Sequence, residues 1–138
     1  MIKLNPYMHF KDNAREAMEF YKSVFGGELT MSTFKEGMND DGPEANNIMH
    51  AMLVIGPEMT LMASDTPAHM EYNPGASVEM SLSGETSDME KLTEYFNKLA
   101  EGGTASVPLS TAPWGDTFGM LTDKFGIQWM VNIAGKKE

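Results

Sequence analysis

An internal repeat constrains this chain more than any other feature of its sequence. Residues 2–10 alternate as a strand, with Ile2, Leu4, Met8 and Phe10 on one face. Asp12 and Asn13 are candidate caps for a helix over 14–25, where Ala14, Ala17, Met18, Tyr21, Val24 and Phe25 keep helical spacing. Gly26-Gly27 stops that helix, and 28–35 reads as a strand. A loop rich in Gly, Asn, Asp and Pro follows, KEGMNDDGPEANN, and then a hairpin of 48–55 and 58–64 about Gly56-Pro57. The order is β-α-β-β-β.

The second half repeats it. Residues 76–83 alternate strictly, and Asp88 opens a helix whose core face carries Met89, Leu92, Phe96, Leu99 and Ala100. Gly102-Gly103 ends this helix, and strands over 104–109, 116–122 and 127–133 follow, the last after a turn at 123–126. A shift of 76 positions aligns Asp12 with Asp88, Phe20 with Phe96, Lys22 with Lys98 and both glycine pairs. Modules of about 65 residues bury little surface alone, so they are expected to pair. The expectation is one α+β domain over 1–138. It consists of a first module over 1–65, a connector over 66–75 and a second module over 76–138, each helix covering one face of its sheet.

Charge and composition remove whole classes of partner. The net charge is −10, and Arg15 is the only arginine among ten basic residues. A phosphate-binding surface needs clustered cations and guanidinium forks, so nucleic acid is not expected as a partner. An anionic membrane is not expected either. Cysteine is absent, which excludes disulfides, thiolate metal sites and cysteine nucleophiles. Lys3, Asn5, Lys11 and Asp12 with no long apolar run behind them do not make a signal peptide, and no apolar stretch is long enough to span a bilayer. A cytoplasmic location is the resulting expectation. The 14 methionines are the compositional oddity. Such soft, adaptable side chains suit a loosely specified core or a surface that accommodates varied apolar ligands.

The stretches PYMHFKDNAREAMEFYKSVFGGEL, IMHAMLVIGPEMTLMASD and WGDTFGMLTDKFGIQWMVN resemble the PhnB-like branch of the vicinal oxygen chelate superfamily, the group of glyoxalase I, bleomycin-resistance proteins and extradiol dioxygenases. The WGD–FG–TDKFG–W run is the most specific part. The resemblance implies two paired βαβββ modules whose curled mixed sheets enclose a ligand cavity, commonly as a homodimer. It does not imply one activity, because the fold hosts enzymes and plain binders alike. Some members of this branch carry a methyltransferase label, but no Gly-rich cofactor loop follows a strand here.

Metal-dependent members of the superfamily place one His or Glu on each of four strands, facing the cavity. Imidazole and carboxylate ligands with an open position would polarise a substrate oxygen there. The less apolar alternate set on each strand is expected to face the cavity. The resemblance then carries the metal positions to Asn5, Met62, Ser77 and Met130, none a good ligand for a divalent cation. No metal and no cofactor are therefore expected.

Tyr7, His9, His50, Met52, Met62, Glu79, Trp114, Asp116, Phe118 and Met130 are the candidate ligand-binding residues. The methionines and aromatic rings suit flat or greasy ligands, and the acidic exterior suits a cationic one. For several of these the structural alternative stays open: His50 as a sheet histidine, His9 as half-exposed, Trp114 as an edge closure, Asp116 as a turn former, Glu79 as a solvated acid. His69 reads as surface, and Ser32, Ser64, Ser77 and Ser81 as structural strand serines. Two functions compete. One is a metal-free small-molecule-binding protein; the other is a metal-dependent lyase, isomerase or dioxygenase with a displaced site around His9, His50 and Glu79. A hydrolytic or isomerase activity on an unknown substrate is a third outcome.

Overall fold

A computed structural model describes residues 3–75 and 77–135. The chain runs β1 (Tyr7–Phe10), α1 (Ala14–Phe25), β2 (Glu28–Thr33), α2 (Phe34–Met38), β3 (Ile48–Gly56) and β4 (Met59–Asp65). It continues with β5 (Met80–Gly84), a 3-10 turn (Thr86–Asp88), α3 (Met89–Ala100), β6 (Thr104–Thr111), β7 (Thr117–Thr122) and β8 (Gln128–Ile133). Two compact units result, Met1–Pro74 and Gly75–Glu138.

Each unit is a four-stranded mixed sheet covered on one face by a helix. The orders are β1-β4-β3-β2 and β5-β8-β7-β6, and in each the first pair is parallel and the others antiparallel. In the first unit Met8, Phe10, Ala51, Leu53, Leu61 and Ala63 are buried with the α1 face of Ala14, Ala17, Met18, Tyr21, Val24 and Phe25. In the second, Leu121, Trp129, Val131 and Ile133 are buried with Leu92, Tyr95, Phe96 and Leu99 of α3. Glycine is required where each helix turns into its next strand. A Cβ on Gly27 would strike the Val54 carbonyl, and one on Gly103 would strike the Thr122 carbonyl.

Several expectations need correction. The first strand begins at Tyr7, because Leu4 is 99% exposed and takes no part in it; Ile2 lies outside the described residues. The fifth strand begins at Met80, and Ala76 likewise lies outside the described residues. The strand expected over 28–35 stops at Thr33, whose hydroxyl accepts the Glu36 amide while the Glu36 carboxylate accepts the Thr33 amide. That reciprocal cap starts α2 inside what reads as loop. Neither Asn13 nor Asp88 caps its helix through a side chain. On α3 the buried aromatic face includes Tyr95, whereas Met89 is exposed.

Candidate functional site

Since one face of each sheet lies beneath a helix, the intervening residues point to the opposite, open face. In the first unit these are Tyr7, His9, His50, Met52, Met62 and Ser64. The register places Tyr7 opposite Met62, Met62 opposite Met52, and Met52 opposite Thr30. One row further along, His9 lies opposite Ser64 and His50 opposite Ser32. The Tyr7 hydroxyl and His50 Nδ1 are 3.2 Å apart, with the donor set by the imidazole tautomer. The Tyr7 ring centroid is 5.2 Å from that of His9 and 5.8 Å from that of His50. Tyr7 and His9 of β1 therefore meet His50 of β3, a distant residue in sequence, on one patch.

The second unit has the same grid with different chemistry. Its central row reads Ser81, Met130, Met120 and Val107, and the next reads Ser83, Asn132, Phe118 and Ser110. Met62 and Met130 occupy equivalent central positions in the two registers. Met120 is equivalent to Met52, and sequence reasoning missed it. Counting the alternation of 116–122 against that of β8 would have found it.

The remaining candidates are more scattered. Glu79 is exposed one residue before β5. Trp114 is 77% exposed in the turn between β6 and β7. Asp116 directs Oδ1 to the Gly135 amide, 2.8 Å away, and its carbonyl accepts the Ala112 amide, so it closes a turn. His69 is exposed.

Two buried carboxylates escaped sequence reasoning, Asp65 with partners distant in the chain and Asp123 with partners within six residues. Asp65, 2% exposed, accepts the Ala14 amide at 2.9 Å and the Ile48 amide at 2.8 Å. It thereby serves as the missing cap of α1 and ties it to β3. Asp123, 3% exposed, accepts the Phe125 and Ile127 amides on Oδ1 and the Trp129 indole N–H on Oδ2 at 2.9 Å.

The four positions to which the resemblance carries the superfamily's metal ligands hold other donors in this chain. Asn5, Met62, Ser77 and Met130 offer an amide, a hydroxyl and two thioethers in place of imidazole and carboxylate. Among the described residues, no three His, Asp or Glu side chains gather closely enough to hold a metal ion. No helix among them is long and apolar enough to cross a membrane.

Comparison with known proteins adds the family. Residues 2–132 match the family described as 3-demethylubiquinone-9 3-methyltransferase. The structure of protein PA1353 from Pseudomonas aeruginosa is similar, with 36% identity and a TM-score of 0.86, covering 99% of this chain and 100% of that one. A putative 3-demethylubiquinone-9 3-methyltransferase, the PhnB protein of Bacillus cereus, is 29% identical with a TM-score of 0.72, covering 96% and 100%. A member of the glyoxalase/bleomycin resistance protein/dioxygenase superfamily from Sphaerobacter thermophilus shares the fold, with 22% identity and a TM-score of 0.56 over 97% and 99%. The chain therefore belongs to the PhnB-like 3-demethylubiquinone-9 3-methyltransferase family and has the α+β glyoxalase/bleomycin-resistance fold.

Proposed function

We propose that this chain is a metal-free small-molecule-binding protein and that the open face of each sheet is a ligand-binding surface. The carrying observation is the pair of methionines at the centre of each face, Met52 with Met62 and Met120 with Met130, opposite one another in register. Thioethers there give a polarisable, adaptable wall instead of a coordination shell. Tyr7, His9 and His50 border the first pair with rings and hydrogen-bonding nitrogens, and Phe118 borders the second. Such a surface suits an aromatic or apolar body, and the net charge of −10 favours a cationic one. Trp114 and Glu79 complete the proposed contact set. The family's methyltransferase description does not carry methyl transfer to this chain, because activity resides in a site and not in a fold.

The reading includes a cytoplasmic homodimer of single-domain chains. Exposed Trp114, together with Val78 at 82% exposure, supports the dimer, since large apolar groups left in water mark partner surfaces. Light scattering on the purified protein at micromolar concentration tests it, with twice the chain mass as the expected result.

Metal content tests the main claim. Protein purified without chelator or affinity metal is expected to hold no stoichiometric transition metal, and added zinc or manganese should leave its melting temperature unchanged. A stoichiometric metal that disappears in His50→Ala would overturn the reading in favour of a metal-dependent enzyme. On the binding side, a fragment screen read by methyl-labelled methionine NMR should move Met52, Met62, Met120 or Met130. Hits that move none of the four would sink the open-face site.

A further inference from the structure

The open face of the first unit carries a hydrogen bond between two accessible side chains. Tyr7 is 41% exposed, and its hydroxyl lies 3.2 Å from Nδ1 of the half-buried His50. The second imidazole nitrogen, Nε2, makes no hydrogen bond among the described residues. It is not buried either, because Thr66 Oγ1 is the only buried side-chain polar atom among them that lacks a partner. Both members of the pair therefore present a polar atom to solvent. The surrounding rows hold no Lys, Arg, Asp or Glu. Tyr7 shares its row with Met62, Met52 and Thr30, and the next row holds His9 with Ser64 and His50 with Ser32. Glu28, on the same face of β2, stands a row further out, opposite Val54.

A neutral imidazole donates from one ring nitrogen and accepts at the other, and a phenol can do both. If Tyr7 donates to Nδ1, the pair offers an outward N–H at Nε2 and a free lone pair on the Tyr7 oxygen. If Nδ1–H donates to Tyr7 instead, the outward groups are the Tyr7 O–H and the Nε2 lone pair. In either tautomer the pair offers one donor and one acceptor together, never two of a kind. A carboxylate brings two acceptors and an amidinium two donors, so each leaves one group of the pair unanswered. A charged head would also find no counter-charge in these rows, whatever charge the rest of a ligand carries toward the acidic exterior.

We infer that the Tyr7–His50 pair recognises the edge of a cyclic amide, a lactam fused to a flat apolar body. This rests on the open-face reading and names the ligand class for the first of the two faces. An open-chain amide is trans and holds its N–H and C=O on opposite sides, whereas a small ring forces the cis form and sets both on one edge. That edge meets the pair donor to acceptor at both contacts. Adjacent strands lie about 4.8 Å apart, so Tyr7, Met62 and Met52 on β1, β4 and β3 span roughly 10 Å, the length of a fused two-ring body. The body then lies on the two thioethers. The Tyr7 ring is held beside the His9 and His50 rings, with centroids 5.2 and 5.8 Å away and tilts of 37° and 35°.

The test is a titration of the full chain, labelled on its methionine methyls, with oxindole at about pH 8, where a free imidazole is neutral. N-methyloxindole, which lacks the N–H, and indole, which lacks the carbonyl, keep the fused body and serve as comparators. Oxindole is expected to move the Met52 and Met62 methyls and to bind about tenfold more tightly than either comparator, the equivalent of about 1.4 kcal/mol. Tyr7→Phe removes only an exposed hydroxyl, so the fold is kept, and all the compounds should then bind within about twofold of one another. His50→Phe should level them in the same way. The proposal is overturned if oxindole leaves Met52 and Met62 unmoved, if oxindole and N-methyloxindole bind the parent equally, or if Tyr7→Phe keeps the preference. Equal binding that still moves Met52 and Met62 would overturn the lactam edge and leave the open-face reading in place. That reading fails separately, on hits of any class that move none of the four central methionines.

Discussion

The two units use one element order to different ends. Both centre their open face on a methionine pair, and both pin the fold with one buried aspartate. They part company beside the methionine pair and in the next row, where the first unit has Tyr7, His9 and His50 and the second has Ser81, Ser83 and Phe118 at the equivalent places. They also differ in the connection after the helix. The first inserts α2 and the 39–47 segment between its second and third strands, and cavities of about 300, 420 and 540 Å³ all border this region or the connector. The second joins β6 to β7 through a short turn closed by Asp116. A duplicated scaffold has thus kept its core grid, while one copy carries the Tyr and His rings on its open face.

The aspartates should give the largest effects. Asp65→Ala strands two buried amides, on Ala14 and Ile48, each costing about 1–3 kcal/mol, so a loss of about 2–6 kcal/mol is expected in urea unfolding. Asp123→Ala strands the buried Trp129 indole, but its two amides are only partly buried, and about 2–4 kcal/mol is expected. If Asp123→Ala costs clearly more than Asp65→Ala, the closer tie between helix and sheet assigned to the first unit is wrong.

The glycines rank next. Gly27→Ala and Gly103→Ala both drive a methyl into a strand carbonyl, a clash worth about 1–3 kcal/mol. Gly27 also has φ +89, so its substitution should cost about 1 kcal/mol more than the same change at Gly103. Equal melting temperatures for the two variants would show that the first unit relaxes there as the second does not.

Where the signal was local, the sequence could be read closely. The apolar spacing over 14–25 predicts α1 to the residue, because packing and propensity agree there. The alternation over 48–55 and 127–133 assigns the open face correctly, since one face of each sheet is buried. Long-range hydrogen bonds were not legible. The cap of α1 comes from Asp65, 51 residues away, and local reasoning could only nominate Asp12 or Asn13. Asp12 instead takes the Asn47 side chain at 2.8 Å. The helix alignment was also off by one. The buried faces match Tyr21 to Phe96, a shift of 75, while the glycine pairs match at 76, because Glu101 stands between α3 and its glycine pair and α1 runs straight into Gly26. The candidate site was half legible: the face was, but the meeting of Tyr7 with His50 depends on register across strands that sequence alone does not fix. The most diagnostic motif, WGD with TDKFG and W, proves to encode turns and the Trp129 pin.

Converting one unit toward the other gives a smaller effect. His50→Phe places in the first unit the residue its counterpart holds at Phe118. It removes one exposed bond to Tyr7, so stability should change by less than about 1 kcal/mol. Binding of open-face ligands should weaken, as read by the shifts of Met52 and Met62. Unchanged binding would mean that the ring cluster is incidental to the methionine wall.

The smallest expected effect separates two exposed carboxylates, one in each unit. Backbone and side-chain hydrogen bonds from Thr33 hold Glu36 below the ordinary carboxyl value of 4.5. Glu94 is held below it by its hydrogen bond and charge pairing with Lys98, 2.9 Å away. In both, the folded value lies below the unfolded one, so the stabilisation is present above about pH 4.5 and is lost as pH falls through the folded value. Their causes differ, and salt should tell them apart. Half-molar salt screens an exposed ion pair, so the Glu94 titration should move up toward 4.5. Glu36 is bound chiefly to an uncharged amide and hydroxyl, and its titration should hardly respond. Carboxyl carbon shifts followed from pH 6 to pH 2.5 at two ionic strengths measure both. On acidification the Glu36 cap opens and the Thr33 amide, which donates to the Glu36 carboxylate, should lose hydrogen-exchange protection, whereas α3, held by its buried face, should keep its own. Equal salt responses for the two glutamates would remove the distinction between a cap that builds a cavity wall and a surface pair that decorates a helix.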